Sequence, residues 1–188
     1  MADKAAQILK ESIVLKEQVL KTMTASINKA ADLMACALKA GGKVLLFGNG
    51  GSAADAQHIA AELVGRFKLE RHGLGAIALS ANTSNLTSIA NDYGYEEVFS
   101  RQIEALGLKN DIALAISTSG NARNVIAGAL EAKKQKIKVI ALTGADGGQL
   151  APLADLALVI PSHNTARIQE VHITVGHILC ELIEEKLF

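Results

Sequence analysis

Four polar side chains lie in two otherwise apolar helical stretches, and their types suit metal binding or proton transfer. His58 and Glu62 are four residues apart, so they share one face of a helix. Gln169 and His177 fall together on one face of the last helical stretch, at about 100° per residue. Burying a carboxylate is costly unless it is paired or bound to a metal. The His58–Glu62 pair therefore predicts either a structural hydrogen bond or a functional group.

These four residues favour two kinds of chemistry, between which their spacing does not choose. Two imidazoles and a carboxylate suit Zn²⁺. However, a glutamine ligand is unusual, and no single segment has the compact spacing of a zinc finger. Alternatively, Glu62 and His177 would act as a base and an acid on a bound sugar.

Other polar residues of the last helical stretch have simpler interpretations. His172 lies within the main apolar stripe, which predicts a core histidine with a satisfied hydrogen bond. The acidic residues of this stretch are expected to lie on the solvated surface, namely Glu170, Glu181, Glu184 and Glu185.

Two loops combine glycines and hydroxyls where apolar runs end. Residues 48–52 read Gly-Asn-Gly-Gly-Ser, and residues 117–121 read Ser-Thr-Ser-Gly-Asn. Glycines let the backbone approach an anion, and the helix that follows each loop offers free N–H groups. Helix capping accounts for only one of the hydroxyls. The loops therefore predict phosphate binding, with neutral donors from Ser52, Ser117, Thr118 and Ser119.

The phosphate is not expected to belong to a dinucleotide. The pattern Gly48-x-Gly50-x-x-Ala53 fits the loose dinucleotide fingerprint, but the second apolar run ends in residues 79–82, Leu-Ser-Ala-Asn, with no acid for a ribose. No Gly-Lys-Ser/Thr follows the glycines either. A sugar monophosphate fits better, with residues 117–119 cradling the phosphate and Asn49, Gly50 and Gly51 facing the sugar.

These loops must be positioned by an alternation of strands and helices. Continuously apolar runs predict buried strands at residues 43–47, 76–79, 112–116, 138–142 and 156–160. Helical patterns cover the first forty residues and residues 53–64, 96–106, 121–135 and 165–187. The alternation indicates an α/β, doubly wound, parallel five-stranded sheet with helices on both faces. Ligands of such sheets bind beyond the carboxyl ends of the strands.

The first helix has more apolar surface than one partner would cover. Near Ile13, Val14 and Leu15 the pattern widens beyond one side, which predicts an oligomer. Residues 1–188 are thus expected to form one domain, with residues 1–40 as an oligomerisation helix and residues 43–188 as the α/β core. The main stripe of the helix comprises Leu20, Met23, Ile27, Ala30, Met34 and Leu38.

Composition excludes several classes of function. Nineteen basic and nineteen acidic residues give a formal charge of zero, which argues against a nucleic-acid partner. No apolar run reaches about 18 residues and the first residues open no signal peptide, so no membrane partner and a cytoplasmic location are expected. Cys36 and Cys180 are each predicted to be small core residues in a reducing compartment.

Taken together, the motifs resemble the phosphoheptose isomerases, which have the sugar isomerase (SIS) fold. The resemblance extends over nearly the whole chain. It rests on residues 48–52, 57–66, 91–92, 116–121, 142–144 and 166–172. One departure is Ala122, where the family often has a serine, so that a neighbour such as Arg123 would have to replace one phosphate hydroxyl.

The resemblance implies an activity and a set of site residues. The reaction converts sedoheptulose 7-phosphate to D-glycero-D-manno-heptose 7-phosphate for lipopolysaccharide core synthesis, and the enzymes are homotetramers with sites at subunit interfaces. Glu62 and His177 would be the acid/base pair. One Zn²⁺ per subunit would be held by His58, Glu62, Gln169 and His177. Substrate would contact Asn49, Gly50, Gly51, Asn91, Asp92, Ser117, Thr118, Ser119 and Gln169.

Two non-catalytic alternatives stay open at this point. A similar family of DnaA-associating replication initiators shares the fold, and SIS-type sensors bind a sugar phosphate to regulate a partner. The resemblance implies that the replication initiators have neither Glu nor His at the positions matching Glu62 and His177. A sensor would have no reason to bury these two residues together, so the enzyme is favoured.

Overall fold

A parallel sheet of five strands runs through the centre of the protein. The computed structural model describes residues 3–188. The strands are β1 (Val44–Gly48), β2 (Ala76–Ala78), β3 (Ile112–Ser117), β4 (Lys138–Gly144) and β5 (Leu156–Ile160), in the order β2-β1-β3-β4-β5. Every neighbouring pair is parallel. The predicted doubly wound α/β fold is confirmed.

Six helices connect and cover these strands. They are α1 (Lys4–Lys39), α2 (Gly51–Val64), α3 (Thr83–Tyr93), α4 (Ser100–Leu106), α5 (Arg123–Lys134) and α6 (Thr165–Leu187), with short 3₁₀ turns at Tyr95–Glu97 and Ala151–Leu153. No helix among residues 3–188 is both long and apolar enough to cross a membrane.

Alternation along the strands assigns the helices to two layers. Val44 and Leu46 of β1 belong to the core shared with α1, α2 and α6. Leu45 and Phe47 point to the other side, where α4 and α5 close the second core. Both faces of the sheet are therefore buried, which is why these strands read as continuous apolar runs.

The N-terminal helix buries one stripe and leaves other apolar residues in solvent. Asp3 caps its start by accepting hydrogen bonds from the backbone N–H groups of Ala5 and Ala6. The predicted stripe is confirmed except at Leu20, which is 70% exposed. Val19 is buried in its place. The exposed apolar residues of α1 also include Leu9, Ile13 and Val14.

The helix α3 was not predicted from the sequence. Its start is capped by Asn82, whose side chain accepts from the Asn85 N–H, but the helix contains no fully buried residue. Only Leu86, Ile89 and Ala90 pack against the core. The predicted helix over residues 96–106 is shorter than expected, because a 3₁₀ turn precedes α4.

Two predictions about burial are wrong and two are confirmed. Cys36 is exposed on α1, whereas Cys180 is buried as expected. Glu184, expected on the surface, is 1% exposed. His172 is fully buried with its Nε2 atom 3.0 Å from the Thr143 carbonyl oxygen, as predicted for a core histidine.

Candidate functional site

The two glycine and hydroxyl loops meet at one point of the sheet. The strand order reverses its direction between β1 and β3, and such switch points open a crevice at the carboxyl ends of the strands. A cavity of about 140 Å³ lies there. It is lined by Asn49, Ser52, Ile116, Ser117, Thr118, Ser119, Ala122 and Gln169.

The lining of this cavity offers neutral donors rather than cations. Helix α5 begins after Ala122, whose side chain makes no capping hydrogen bond. The first N–H groups of a helix lack intrahelical acceptors, so this end of α5 favours an anion. Arg123 does not line the cavity. Its guanidinium is 82% exposed and lies 2.9 Å from Glu96 Oε1. The structure therefore does not support Arg123 as the replacement for a hydroxyl at position 122.

Asn49 is held by a reciprocal pair of amide hydrogen bonds. Its Nδ2 donates to Asn124 Oδ1 over 2.8 Å, and Asn124 Nδ2 donates back to Asn49 Oδ1 over 2.9 Å. The Tyr95 hydroxyl also donates to Asn49 Oδ1, over 3.1 Å. An amide oxygen has two lone pairs, so Asn49 retains chiefly an amide hydrogen for a ligand. Asn124 and Tyr95 were missed because both partners are distant in sequence.

Gln169 is brought into the cavity by the absence of a side chain at Gly51. A Cβ atom at position 51 would lie 2.5 Å from Gln169 Nε2. The neighbouring Gly50 has φ of 55°, a conformation that favours glycine. Glycine at position 50 thus allows the turn of the loop, and glycine at position 51 leaves the space that the end of the Gln169 side chain occupies.

Three of the four residues proposed as metal ligands converge between α2 and α6. His58 Nε2 lies 2.8 Å from His177 Nε2 and 3.3 Å from Glu62 Oε1. One ligand atom from each of the three residues falls within 4.8 Å of the other two. Two imidazoles and a carboxylate at this spacing are a donor set that suits a divalent metal, and the residues present fit such an ion.

This candidate metal-binding group (His58, Glu62 and His177) is more accessible than the sequence suggests. We expected α2 to be well buried, but Ala61 and Val64 are exposed in this chain. His58 is exposed and Glu62 is half-buried. The fourth proposed ligand, Gln169, lies about two turns of α6 before His177 and contacts the Gly51 backbone region.

Two further residues surround the group and were not singled out from the sequence. Burial raises the pKa of Asp55, against the opposing effect of the nearby His58 and His177 imidazoles. Asp55 lies three residues before His58 on α2, and this spacing could have identified it from the sequence as a neighbour of His58. The Phe67 ring stacks on the His177 imidazole, with 5.5 Å between centroids and 28° between planes.

Asn91 and Asp92 lie apart from both features. They are exposed residues near the end of α3, and Asn91 Nδ2 donates to Asp92 Oδ1 over 2.8 Å. Neither lines the cavity between β1 and β3. Their contact with substrate stays a prediction.

Comparison with known proteins extends the similarity over nearly the whole chain. Residues 7–144 match the SIS domain family. The phosphoheptose isomerase of Aquifex aeolicus is 54% identical over 185 residues, which cover 98% of this chain and 97% of that protein.

Solved structures agree with the sequence comparison. The phosphoheptose isomerase from Neisseria gonorrhoeae superposes with a TM-score of 0.92 at 45% identity, covering 97% of each chain. The enzyme of that name from Francisella tularensis gives a TM-score of 0.94 at 40% identity, again over 97% of each chain. Both similarities include the long N-terminal helix as well as the sheet, because so little of either chain is left uncovered.

Proposed function

The chain belongs to the SIS domain family and, within it, to the phosphoheptose isomerases, and we propose on this premise that Glu62 and His177 transfer the protons of its reaction. As an isomerase of this family, it converts sedoheptulose 7-phosphate to D-glycero-D-manno-heptose 7-phosphate. The convergence of Glu62 with His58 and His177 is the observation that carries the assignment of residues.

The reaction needs a base beside the reacting carbons and an acid at their oxygens. Moving a carbonyl between C2 and C1 requires a proton to leave one carbon and return to the other, through an enediol-type intermediate. The Glu62 carboxylate takes and returns the carbon-bound proton, while His177 exchanges protons with the oxygens. Each such group typically contributes about 10²–10⁴-fold to the rate.

The loops after β1 and β3 hold the substrate during this transfer. Ser117, Thr118 and Ser119 bind the phosphate together with the start of α5, because the cavity between the loops is lined by hydroxyls and amides. Asn49, Gly50, Gly51 and Ser52 face the sugar. Helix α2 starts in this loop and carries His58 and Glu62 towards the reacting carbons.

A zinc ion, one per subunit, is the metal that we assign to His58, Glu62, Gln169 and His177. The donor set favours Zn²⁺ among the common divalent metals. When bound, the ion would act as a Lewis acid towards the oxygens of the sugar. A carboxylate that also binds a metal is a weaker base, so Glu62 would exchange one role for the other during turnover.

We further propose that residues 1–188 form one SIS domain that assembles into a homotetramer. Exposed apolar residues on α1 support this assembly, as does an apolar groove between α1 and α6 that includes Val19, Leu20 and Ile178. Sites at subunit interfaces would allow Asn91 and Asp92 of one subunit to reach the substrate of another. A stable monomer in sedimentation analysis would contradict this assembly.

The family resemblance alone supports the cellular role. We assign the reaction to the cytoplasm, as the first step of ADP-heptose synthesis for the lipopolysaccharide core. Deleting the gene should then remove heptose from the lipopolysaccharide of the organism that carries it. Unchanged heptose content would contradict this role.

The test of the acid/base assignment is turnover of sedoheptulose 7-phosphate with zinc present. Glu62→Gln should lose turnover by about 10²-fold or more while still binding substrate in calorimetry. Glu70→Gln is the matched control, because Glu70 is an exposed glutamate after the same helix and pairs only with Arg66. Zinc content is measured on each variant. Unchanged turnover in Glu62→Gln would refute the assignment, and an inactive wild-type protein that binds the substrate would favour a sensor.

A further inference from the structure

The connection between α2 and β2 is anchored to α6 by one buried carboxylate. Glu184 accepts hydrogen bonds from three consecutive backbone N–H groups, those of Phe67 and Lys68 at 2.8 Å and of Leu69 at 2.9 Å. The Arg71 Nε atom donates to it over 2.9 Å. A carboxylate has about four lone-pair positions, so these four donors occupy them all.

Arg71 extends this anchor to the end of α2. Its Nη2 atom donates to the Glu62 carbonyl oxygen over 2.9 Å, and its Nη1 atom donates to those of Leu63, Gly65 and His72. A cation at the C-terminus of a helix also favours the helix dipole. The side chains of Arg71 and Glu184 are each only 1% exposed, so the pair is shielded from competing water.

The pair reaches both residues of the proposed acid/base site. The hydrogen bond from Arg71 fixes the backbone at Glu62 itself. Glu184 lies seven residues after His177 on α6 and therefore on the same face, and its bond to the Phe67 N–H holds the Phe67 ring against the His177 imidazole. The Arg71–Glu184 ion pair therefore holds both the backbone at Glu62 and the Phe67 ring that packs on His177.

The anchor is permanently charged at working pH. Burial by itself would raise the pKa of Glu184, but the N–H groups of residues 67–69 and the Arg71 guanidinium outweigh it, and the pKa falls to about 2. Buried ion pairs are weak evidence for stability, since desolvation offsets much of the attraction. An ionised pair whose hydrogen bonds are all made, such as Arg71–Glu184, is suited to holding the loop of residues 67–69 in one position.

We propose that Arg71 and Glu184 are positioning residues of the isomerase, which orient the last turn of α2 with Glu62 and the ring plane of His177. The proposal rests on the proposed function of Glu62 and His177. It assigns no contact with substrate to either residue. Supporting residues around a metal or catalytic site typically contribute about 10–100-fold in metal affinity or activity.

The test compares Glu184→Gln with a neighbour on the same helix. The expected result for Glu184→Gln is a fall in kcat of about 10–100-fold with KM within about twofold of the wild type, because the phosphate loops do not contact the pair. Affinity for Zn²⁺ alone, titrated without substrate, should fall as well. Glu181→Gln is the matched control, because Glu181 pairs with Lys68 of the same loop through exposed side chains. It should leave kcat, KM and zinc affinity unchanged.

A second variant keeps the inference testable should Glu184→Gln fail to fold. Phe67→Leu removes the ring stacked on His177 and leaves the ion pair in place, so it should lower kcat with little change in KM. A folded Glu184→Gln protein with wild-type kcat and zinc affinity would overturn the proposal and leave the pair a purely structural role, as would a loss confined to KM. If the wild type shows no turnover, the proposed function fails, whereas reduced zinc affinity in Glu184→Gln would still support the positioning role.

Discussion

The Nε2 atoms of His58 and His177 lie 2.8 Å apart, although 119 positions separate the two residues in the sequence. Helices α2 and α6 pack side by side against the same core and direct both rings to one point. Two ring nitrogens at this distance either form a hydrogen bond, with one donating and the other accepting, or both direct their lone pairs at a bound cation.

Zinc should therefore stabilise the protein through His58 and His177. Saturating Zn²⁺ is expected to raise the thermal midpoint of the wild type by about 5–10 °C, as for a ligand at a hundred times its Kd. His58→Ala and His177→Ala should lose this shift, measured by calorimetry with and without chelator. His163→Ala is the control, since His163 is exposed and outside the candidate metal-binding group. A full shift in His58→Ala would contradict the metal assignment.

Gly51→Ala should act on the substrate through Gln169. The new methyl group would lie 2.5 Å from Gln169 Nε2, and the flexible glutamine side chain would move out of the cavity. We expect a rise in KM of about tenfold, equivalent to about 1.4 kcal/mol, with a nearly unchanged thermal midpoint. In a Gln169→Ala background the same substitution should add little, because the two changes remove one interaction. Additive effects in this double-mutant cycle would show that Gly51 acts independently.

His172 should make the stability of the protein depend on pH between about 6.5 and 4. Burial lowers the pKa of His172 from 6.5 to about 4, against a raising effect of the Thr143 carbonyl. The unfolded chain therefore binds a proton in this range that the folded protein does not. The stabilisation is complete above pH 6.5 and is lost as the pH falls through 4, by about 3 kcal/mol in all.

Urea unfolding at a series of pH values measures this effect. A His172→Gln variant should lack the decline between pH 6.5 and 4, though its stability at neutral pH is expected to be lower. Glu184 overlaps this range only between pH 4.5 and 4, because its contribution is lost between 4.5 and about 2. An identical decline in wild type and variant would assign the pH dependence to other groups.

The two thiols should differ in reactivity. Cys36 is exposed, whereas burial raises the pKa of Cys180 to about 12, helped by the nearby Glu62 and Glu184 charges and opposed by Arg71. A thiolate is the reactive form, so a disulfide reagent at pH 8 should label one cysteine in the native protein and two after unfolding. Native Cys36→Ser should show no labelling. Rapid labelling of that variant would mean that the core around Cys180 opens readily.

Local sequence patterns correctly predicted those structural features whose physical cause lies within a few neighbouring residues. Continuously apolar runs predicted all five strands. Their carboxyl ends predicted that the loops after β1 and β3 would lie at one site. Helix α3 escaped prediction because it is short, mostly polar and buries no residue completely, although Leu86, Ile89 and Ala90 recur at three- and four-residue steps. Leu20 was assigned to the buried stripe although Val19, one residue earlier, has that position.

By itself, the sequence determined the parallel α/β architecture, the two loops expected to bind a sugar phosphate, and the position of His58 and Glu62 on one face of a helix. These follow from side-chain period and loop chemistry within a few residues. Only the tertiary structure decided which distant groups meet. Glu184 sits in a run of acidic residues that looks solvated, yet the fold surrounds it with the donors of a loop more than a hundred positions away. Convergence of this kind depends on how helices pack across the chain, and spacing along the sequence does not encode it in any readable pattern.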